Sequence, residues 1–311
     1  GTFYKKRAAR ILPPYLLSVF VITLAWAIPT DAFGSVNKCL TDFFSTLSFT
    51  QTFFPTALLD NKINGVLWTA AVEVQFYLIF PFLAYCFRRK PLLSYAAMLA
   101  IAAAYIHGFA LRNEALLRMT VNQLPAFFAV FANGMLAAYA WVWLSGRVER
   151  RAWLSALATL AAVGCLILIG HMEKTVTRVD PVQVWQLRNR FALSLALVAF
   201  LFSAALSARW FRWLFSNRVM RFCAAISYNI YIWHQWLAVR FVEWRIPGWS
   251  GEMRPNMAGN RPWQWGYTLL VTFASFAVAA LLTYGFEKPI LKKLLAPRAP
   301  EMEEYDETVP I

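Results

Sequence analysis

Residues 65–87 read GVLWTAAVEVQFYLIFPFLAYCF, a run in which Glu73 is the only charged side chain. A helix needs about 20 mostly apolar residues to cross a bilayer, because lipid cannot hydrogen bond to open backbone groups. Seven further stretches have the same character: 13–30, 91–111, 120–145, 153–170, 190–208, 219–241 and 265–286. The sequence therefore predicts an all-α, polytopic membrane helix bundle with about eight transmembrane helices.

The composition of the whole chain supports this prediction. Among 311 residues, hydrophobic types make up 59% and charged types 15%, whereas soluble domains carry about 25% charged residues. The net charge of +14 would suggest nucleic-acid binding in a soluble protein, but in a membrane protein it marks loops beside anionic lipid. The predicted partner is therefore the lipid bilayer and not nucleic acid. The four cysteines share no metal-ligand spacing, so no metal site is predicted.

Positive charges alternate along the predicted bundle. Eighteen of the 30 Lys and Arg lie in every second segment between the helices: 5–10, 88–90, 147–151, 209–221 and 288–298. Cytoplasmic loops carry such an excess, so both chain ends are predicted to be cytoplasmic. The transmembrane domain is predicted at 1–296, followed by an acidic cytoplasmic tail at 297–311.

Two of the predicted outer segments are long. Residues 31–64 and 242–264 are each long enough to fold over the membrane face. The second contains several Gly and Pro residues, which predicts an irregular loop.

Glu73 is the clearest candidate for chemistry, because ionisable groups inside spanning helices are costly and usually functional. It lies eight residues beyond the start of its stretch, which corresponds to about 12 Å below the outer surface. The same helical face carries Thr69, Phe76, Tyr77 and Phe80. The alternative is a carboxylate bonded to a neighbouring helix for packing alone.

A second polar feature lies in the stretch 219–241. Ser227, Tyr231 and His234 are spaced at i, i+4 and i+7, which places them in one stripe along an apolar helix. Such a stripe is predicted to face the bundle interior or a wet cavity. The spacing alone leaves open whether His234 is functional or a hydrogen-bonded structural residue.

The beginning of the chain is basic. Arg7 and Arg10 lie three residues apart, so both can present their guanidinium groups on one side of an interfacial helix. Pro13 and Pro14 are predicted to turn the chain into the membrane. Two aligned guanidiniums suit bidentate phosphate binding. The alternative is ordinary anchoring of a cytoplasmic segment by positive charge.

Three of these segments taken together resemble the membrane acyltransferase-3 family, ten-helix enzymes that O-acylate sugars and related hydroxyls. The segments are FYKKRAARILPPY at 3–15, LWTAAVEVQFY at 67–77 and ISYNIYIWH at 226–234. Weaker matches follow the expected order at 47–53, at 124–128 with Gly134, and at 287–289. The resemblance covers essentially residues 3–290.

The resemblance implies a role for each candidate. Arg7 and Arg10 would bind the phosphates of an acyl-CoA donor, which is a substrate and not a bound cofactor. Glu73 would act as a general acid/base together with a His on a preceding helix, and His234 would orient a donor or acceptor group, with a direct catalytic role ranked below that of Glu73. The residues implied to shape the pocket are Trp68, Gln75, Tyr77, Ser227 and Tyr231.

The sequence departs from the family pattern in two places. Family members begin with two further helices, the first of which carries the His, so we expect these helices to lie outside the given sequence. The eight predicted spans plus two give the family's ten, and the chain as written is expected to be inactive unless they are supplied. Ala71 replaces the Ser usually found two residues before the motif Glu, which removes a possible hydrogen-bond partner for Glu73.

The resulting hypothesis is a bacterial inner-membrane acyltransferase. It would move an acyl group, most simply acetyl, from acyl-CoA to a hydroxyl of a glycan or another cell-envelope or exported acceptor. Two alternatives stay open from the sequence. One is a proton-coupled transporter or flippase for organic acids or glycan intermediates, in which Glu73 and His234 would bind protons or substrate. The other is a non-catalytic, degenerate family member.

Overall fold

The computed structural model describes residues 2–145, 147, 151–179 and 181–295. Within these ranges every regular element is a helix, which confirms the all-α class. The predicted acidic tail, Arg150 and Arg298 lie outside the described residues. The α-helices, numbered in chain order, are α1 Thr2–Ile22, α2 Val36–Leu47, α3 Pro55–Leu59, α4 Trp68–Arg89, α5 Pro91–Gly108, α6 Leu117–Thr120, α7 Leu124–Ser145, α8 Ala152–Lys174, α9 Val182–Leu206, α10 Arg209–Ser216, α11 Arg218–Glu243, α12 Arg261–Leu282 and α13 Lys288–Leu295.

Shorter helical turns extend or join these helices. Two π-helical turns continue α1 and α12, at Thr23–Ala27 and Thr283–Glu287. The 3-10 turns are Gln51–Phe53, Gly65–Leu67, Ala110–Arg112, Glu114–Leu116 and Val176–Arg178.

In the part of the chain that the structure describes, seven helical segments are long and apolar enough to cross a membrane: Phe3–Ala27, Gly65–Arg89, Pro91–Arg112, Leu124–Leu144, Ala152–Arg178, Val182–Leu206 and Arg261–Leu295. They overlap seven of the eight predicted stretches. The eighth stretch, 219–241, coincides with α11, whose 26 residues suffice to cross a bilayer. Polar residues such as Asn229 and His234 make α11 less apolar than the other seven.

The beginning of the chain differs from the prediction. Helix α1 runs without a break through Pro13 and Pro14, so the predicted turn into the membrane is wrong. The basic residues therefore occupy the first turns of the helix that continues into the span Phe3–Ala27. Each proline removes one backbone donor. The remaining backbone hydrogen bonds and the packing around fully buried Tyr15 and Val19 keep the helix intact.

The segment 31–64, which was predicted to be an outer one, is folded around one buried carboxylate. Asp42 on α2 is fully buried. Its Oδ1 pairs with Lys38 Nζ at 2.6 Å, and its Oδ2 accepts the backbone N–H of Lys62 at 2.9 Å. Lys38 Nζ also donates to the carbonyl of Asp60 at 2.7 Å. A buried charge needs such compensation, so Asp42 holds the two ends of this segment together.

The chain divides into two compact units. One comprises the residues up to Ser18 and those from Ile226 onward, and the other comprises Val19–Ala225. In the second unit, α5, α7 and α9 pack around residues such as Ile106, Ala126 and Leu187. Large apolar side chains on the spanning helices point outward, for example Phe82 and Leu160. Lipid is the solvent that such faces require.

The segment 242–264 is irregular, as predicted. The described chain forms turns between α11 and α12, with positive φ angles at Gly251 and Gly259. Helix α12 begins at Arg261, four residues before the predicted start of its stretch. The Asn260 side chain accepts the backbone N–H of Trp263 at 3.1 Å, and Pro262 occupies the first turn. Both features favour a helix start at this position.

Candidate functional site

The helix that carries Glu73 is fixed at its beginning by the segment 31–64. Gln51 is almost completely buried, and its Nε2 donates to the carbonyl of Leu67 at 3.0 Å, immediately before α4. Further along α4, Gln75 Nε2 donates to the carbonyl of Phe49 at 3.2 Å and to Thr52 Oγ1 at 3.1 Å. The amide of Gln75 thus holds α4 against the segment 31–64, so this predicted pocket residue also has a positioning role.

Glu73 lies half-buried on α4, between those two attachment points. The hydroxyl of Tyr77, one turn further along, donates a short hydrogen bond to its Oε1. No residue in the described part of the chain hydrogen bonds to Oε2 or forms an ion pair with this carboxylate. One carboxylate oxygen is therefore oriented by its own helix, and the other is available to a ligand.

The other face of the same region is aromatic. Phe76 is buried and stacks on Phe131, with ring centroids 3.7 Å apart. Trp68, at the first turn of α4, lies 6.0 Å from Phe127 between ring centroids. These contacts bind α4 to α7 and leave Trp68 half-buried beside the helix start.

An arginine completes this aromatic cluster. The guanidinium carbon of Arg190 on α9 lies 3.8 Å from the Phe127 ring centroid. Its Nη1 donates to the carbonyls of Val121 and Ala126 at 2.9 and 3.3 Å. The sequence prediction missed Arg190 because it began the span at this residue. The helix begins at Val182, which places Arg190 in its third turn.

Arg7 and Arg10 lie on the first turns of α1, and both side chains are exposed. Their three-residue spacing on an unbroken helix places them on one side, as predicted. The guanidinium of Arg7 lies 5.7 Å from the Phe3 ring centroid. The positive charge of Arg10 interacts electrostatically with the carboxylate of Glu287, which belongs to the same unit.

Glu287 belongs to a buried polar cluster that the sequence prediction missed. Its carboxylate is 7% exposed, and Asn229 on α11 is fully buried. Asn229 Nδ2 donates to Glu287 Oε2 at 2.7 Å and to Thr283 Oγ1 at 2.8 Å. Lys288 adds a second positive charge near the carboxylate. The prediction ended the last helix at 286, whereas the π-helical turn Thr283–Glu287 carries the helix through Glu287.

The predicted stripe on α11 forms one face of a continuous helix. Ser227 is exposed, while Tyr231 and His234 are half-buried. The deeply buried face of α11 contains Asn229 and Trp233 instead, and at 100° per residue it lies about 150° from the stripe, nearly on the opposite side of the helix. The Tyr231 and His234 rings are 5.8 Å apart.

The imidazole of His234 has a defined orientation. Its Nδ1 lies 3.1 Å from the carbonyl oxygen of Ile230 and 2.9 Å from that of Tyr231. A carbonyl can only accept, so Nδ1 carries the hydrogen. The neutral ring then presents the Nε2 lone pair, to which no described residue hydrogen bonds. His234 can therefore accept a proton or a hydrogen bond from a ligand.

The nine predicted site residues fall into two groups. Trp68, Glu73, Gln75 and Tyr77 share α4, where the structure brings Glu73 and Tyr77 into direct contact. The other group lies in the unit formed by the two ends of the chain: Arg7, Arg10, Ser227, Tyr231 and His234.

These features define an integral, polytopic membrane protein with ionisable groups inside its spanning helices. The chain belongs to the acyltransferase-3 family: the family model described as an acyltransferase domain matches residues 1–284. No curated protein and no solved structure was found to match the chain. The predicted family is thereby confirmed, and membership supports a membrane acyltransferase in general terms.

Proposed function

We propose that this protein transfers an acyl group, most simply acetyl, from acyl-CoA to a hydroxyl group of a glycan or another envelope or exported acceptor. Its place would be the bacterial inner membrane, with both chain ends in the cytoplasm. The observation that carries the proposal is the Glu73 carboxylate. It lies inside a spanning helix of an acyltransferase family member, with Oε1 bound by Tyr77 and Oε2 available.

The proposed reaction needs one proton to leave the acceptor. The acceptor oxygen attacks the thioester carbonyl, the new C–O bond forms, and the C–S bond breaks. The hydroxyl proton passes to the general base, and the leaving thiolate takes up one proton to become the thiol of coenzyme A. Glu73 Oε2 is the proposed general base, acting with the His that the family carries on a preceding helix. The Tyr77 hydrogen bond holds the carboxylate in place for this transfer.

The donor is proposed to bind through Arg7 and Arg10. Two exposed guanidiniums on one side of α1 can engage phosphate oxygens in bidentate pairs. Arg7 and Arg10 are both proposed as contacts to the donor phosphates.

The remaining predicted residues are assigned to positioning. His234 Nε2 can accept a hydrogen bond from a donor or acceptor group, because Nδ1 is tied to two backbone carbonyls. Ser227 and Tyr231 extend the same face of α11. Trp68 offers an apolar surface beside the start of α4, and aromatic faces suit stacking on a ligand.

The test is acyl transfer by the full-length protein in proteoliposomes with radiolabelled acetyl-CoA and a panel of glycan acceptors. We expect thioester consumption and labelled product, and Glu73→Gln should reduce both by about a hundredfold or more. Glu173→Gln is the matched control, since it neutralises an exposed carboxylate at the end of α8. Equal acyl transfer by Glu73→Gln and the parent protein would refute the assignment of the base.

The same vesicles distinguish an enzyme from a transporter. Glu73 and His234 inside a membrane helix bundle are also the residue types that couple transport to protons. Flux of labelled organic acid or glycan across the bilayer without consumption of acetyl-CoA would replace the proposed reaction by transport. Loss of acyl transfer in Glu73→Gln without any flux in the parent protein would support the acyltransferase.

A further inference from the structure

Helix α10 is a short amphipathic helix directly after the spanning helix α9. Its sequence, RWFRWLFS, places Phe211 in the protein core, where it is 5% exposed. Trp210 and Trp213 are largely exposed on the opposite side. Tryptophan is enriched at the level of the lipid headgroups. An amphipathic helix of this kind, next to the end of a span, lies along the membrane interface.

The position of α10 is fixed by contacts within its own unit. The backbone N–H of Ala208 donates to Thr159 Oγ1 on α8 at 2.9 Å, which holds the turn between α9 and α10. The Phe215 ring lies 5.5 Å from Phe200 on α9 and 5.5 Å from Phe211. The helix is thus held against α8 and α9.

A cavity of about 920 Å³ lies between α9 and α10. Its size falls at the upper end of the range for small-molecule sites in proteins. One wall is formed by the apolar residues Leu201, Ala204 and Ala205 of α9, and the other wall belongs to α10. The full lining is Leu201, Ala204, Ala205, Arg209, Trp210, Arg212, Trp213, Phe215 and Ser216.

Two arginines that line this cavity have no acidic partner in the described chain. Arg209 and Arg212 lie three residues apart and both line the cavity. No described Asp or Glu pairs with either of them. Their side chains are exposed and half-buried, respectively. Two guanidiniums with this spacing can engage one phosphate group. The apolar α9 wall beside them suits a hydrocarbon chain.

We propose that this cavity binds one anionic glycerophospholipid. Its phosphate would lie between Arg209 and Arg212, and one acyl chain would lie along Leu201, Ala204 and Ala205. A zwitterionic lipid would fill the apolar wall equally well but would gain less from the two cations. None of the residues assigned to acyl transfer lines this cavity, so the inference does not depend on the proposed function.

Native mass spectrometry of the detergent-purified full-length protein tests the proposal. Dioleoylphosphatidylglycerol and dioleoylphosphatidylcholine are titrated in parallel, and retained lipid adducts are counted. We expect one phosphatidylglycerol to be retained in preference to phosphatidylcholine. The double variant Arg209→Gln/Arg212→Gln should lower its affinity on the order of tenfold to thirtyfold.

The matched control is Arg218→Gln/Arg221→Gln. These two arginines have the same spacing and are exposed at the beginning of α11, but they do not line the cavity. We expect this control to retain the adduct. Equal loss in both double variants would overturn the proposal, because it would show general charge attraction. Equal retention of the two lipids by the parent protein would also overturn it.

Two further arms separate the lipid from other phosphate ligands. Ala204→Phe should fill the apolar wall and reduce phosphatidylglycerol binding several-fold, while its melting temperature confirms that the variant is folded. Inorganic phosphate and coenzyme A are added as competitors. If either displaces the lipid adduct through Arg209 and Arg212 at equal concentration, the site is a soluble phosphate site and the proposal fails. An effect of Ala204→Phe without such competition supports the lipid.

Discussion

Glu73 and Glu287 both lie within spanning segments, and their surroundings differ. Glu287 is 7% exposed, accepts a hydrogen bond from Asn229 at 2.7 Å, and is neighboured by the charges of Arg10 and Lys288. Glu73 is half-buried, accepts a hydrogen bond only from Tyr77 on its own helix, and has no cation paired with it in the described chain.

This difference distinguishes a carboxylate that stabilises the fold from one that can take part in chemistry. A buried carboxylate that is held by an amide donor and two nearby positive charges is committed to its fold. A half-buried carboxylate without a paired cation can exchange a proton with a ligand. The comparison therefore assigns stability to Glu287 and reactivity to Glu73. Each substitution below tests one side of this assignment.

The largest expected effect compares Glu73→Gln with Glu287→Gln. We expect Glu73→Gln to lower the rate of acyl transfer by about a hundredfold to ten-thousandfold, because an amide cannot act as a general base. Glu287→Gln should retain most of the parent protein's activity when it is assayed at a temperature at which the variant is folded. Rates are measured with matched amounts of folded protein. If the two variants lost activity equally, the distinction between the carboxylates would be lost.

Asn229→Ala is expected to have the next largest effect. It removes the hydrogen bond to Glu287 Oε2 and leaves a buried charge with one partner fewer. Loss of a hydrogen bond to a charged group costs about 1.5–3 kcal/mol of the free energy of unfolding. Thermal unfolding in detergent measures the change, with Ser227→Ala on the exposed face of α11 as the control. An unchanged melting temperature would mean that Glu287 does not stabilise the fold.

The two arginines of α1 sharpen the comparison further. Arg7→Ala and Arg10→Ala should each raise the KM for acyl-CoA about tenfold, because each loses a charge-assisted contact with phosphate. Only Arg10→Ala should also lower the melting temperature, since Arg10 alone of the two interacts with Glu287. Arg→Lys at each position should restore part of the affinity. An unchanged KM in both alanine variants would reject the donor site.

The smallest expected effect belongs to Tyr77→Phe. This change removes the hydroxyl that orients Glu73 Oε1 and preserves the ring. We expect about a fivefold lower rate, because the carboxylate stays in place and loses only part of its orientation. Tyr85→Phe is the control on the exposed side of the same helix. Equal rates for Tyr77→Phe and Tyr85→Phe would show that Glu73 needs no such orientation.

The local pattern of apolar residues was sufficient to predict most of the fold. Long apolar runs fix the existence of helices such as α4 and α9, because only a helix satisfies its backbone within lipid. The predicted turn at Pro13 and Pro14 was wrong, since packing of the following residues outweighs the two lost backbone donors. Whether a proline breaks or continues a helix depends on such tertiary contacts.

The candidate site was only partly accessible from sequence. Glu73 and His234 stand out because they are ionisable groups in apolar runs. Arg190 and Glu287 escaped notice because each lay at the predicted edge of a span, and the true helix extends further. The role of Asn229 depends on its hydrogen bond to Glu287, which is 58 residues away in the chain. Contacts of that separation have no local signature.

The hydrogen bonds of Gln51 and Gln75 fix the rotation of α4 about its axis, and so the direction of the Glu73 carboxylate. Gln51 binds the carbonyl that precedes the helix, and Gln75 binds Phe49 two turns further on, so the helix cannot rotate about its axis without breaking one of them. One residue inserted before Trp68 would turn Glu73 by about 100°. An insertion between residues 31 and 35, ahead of both attachments, would leave its direction unchanged. Register, and not only composition, thus decides where this acid points.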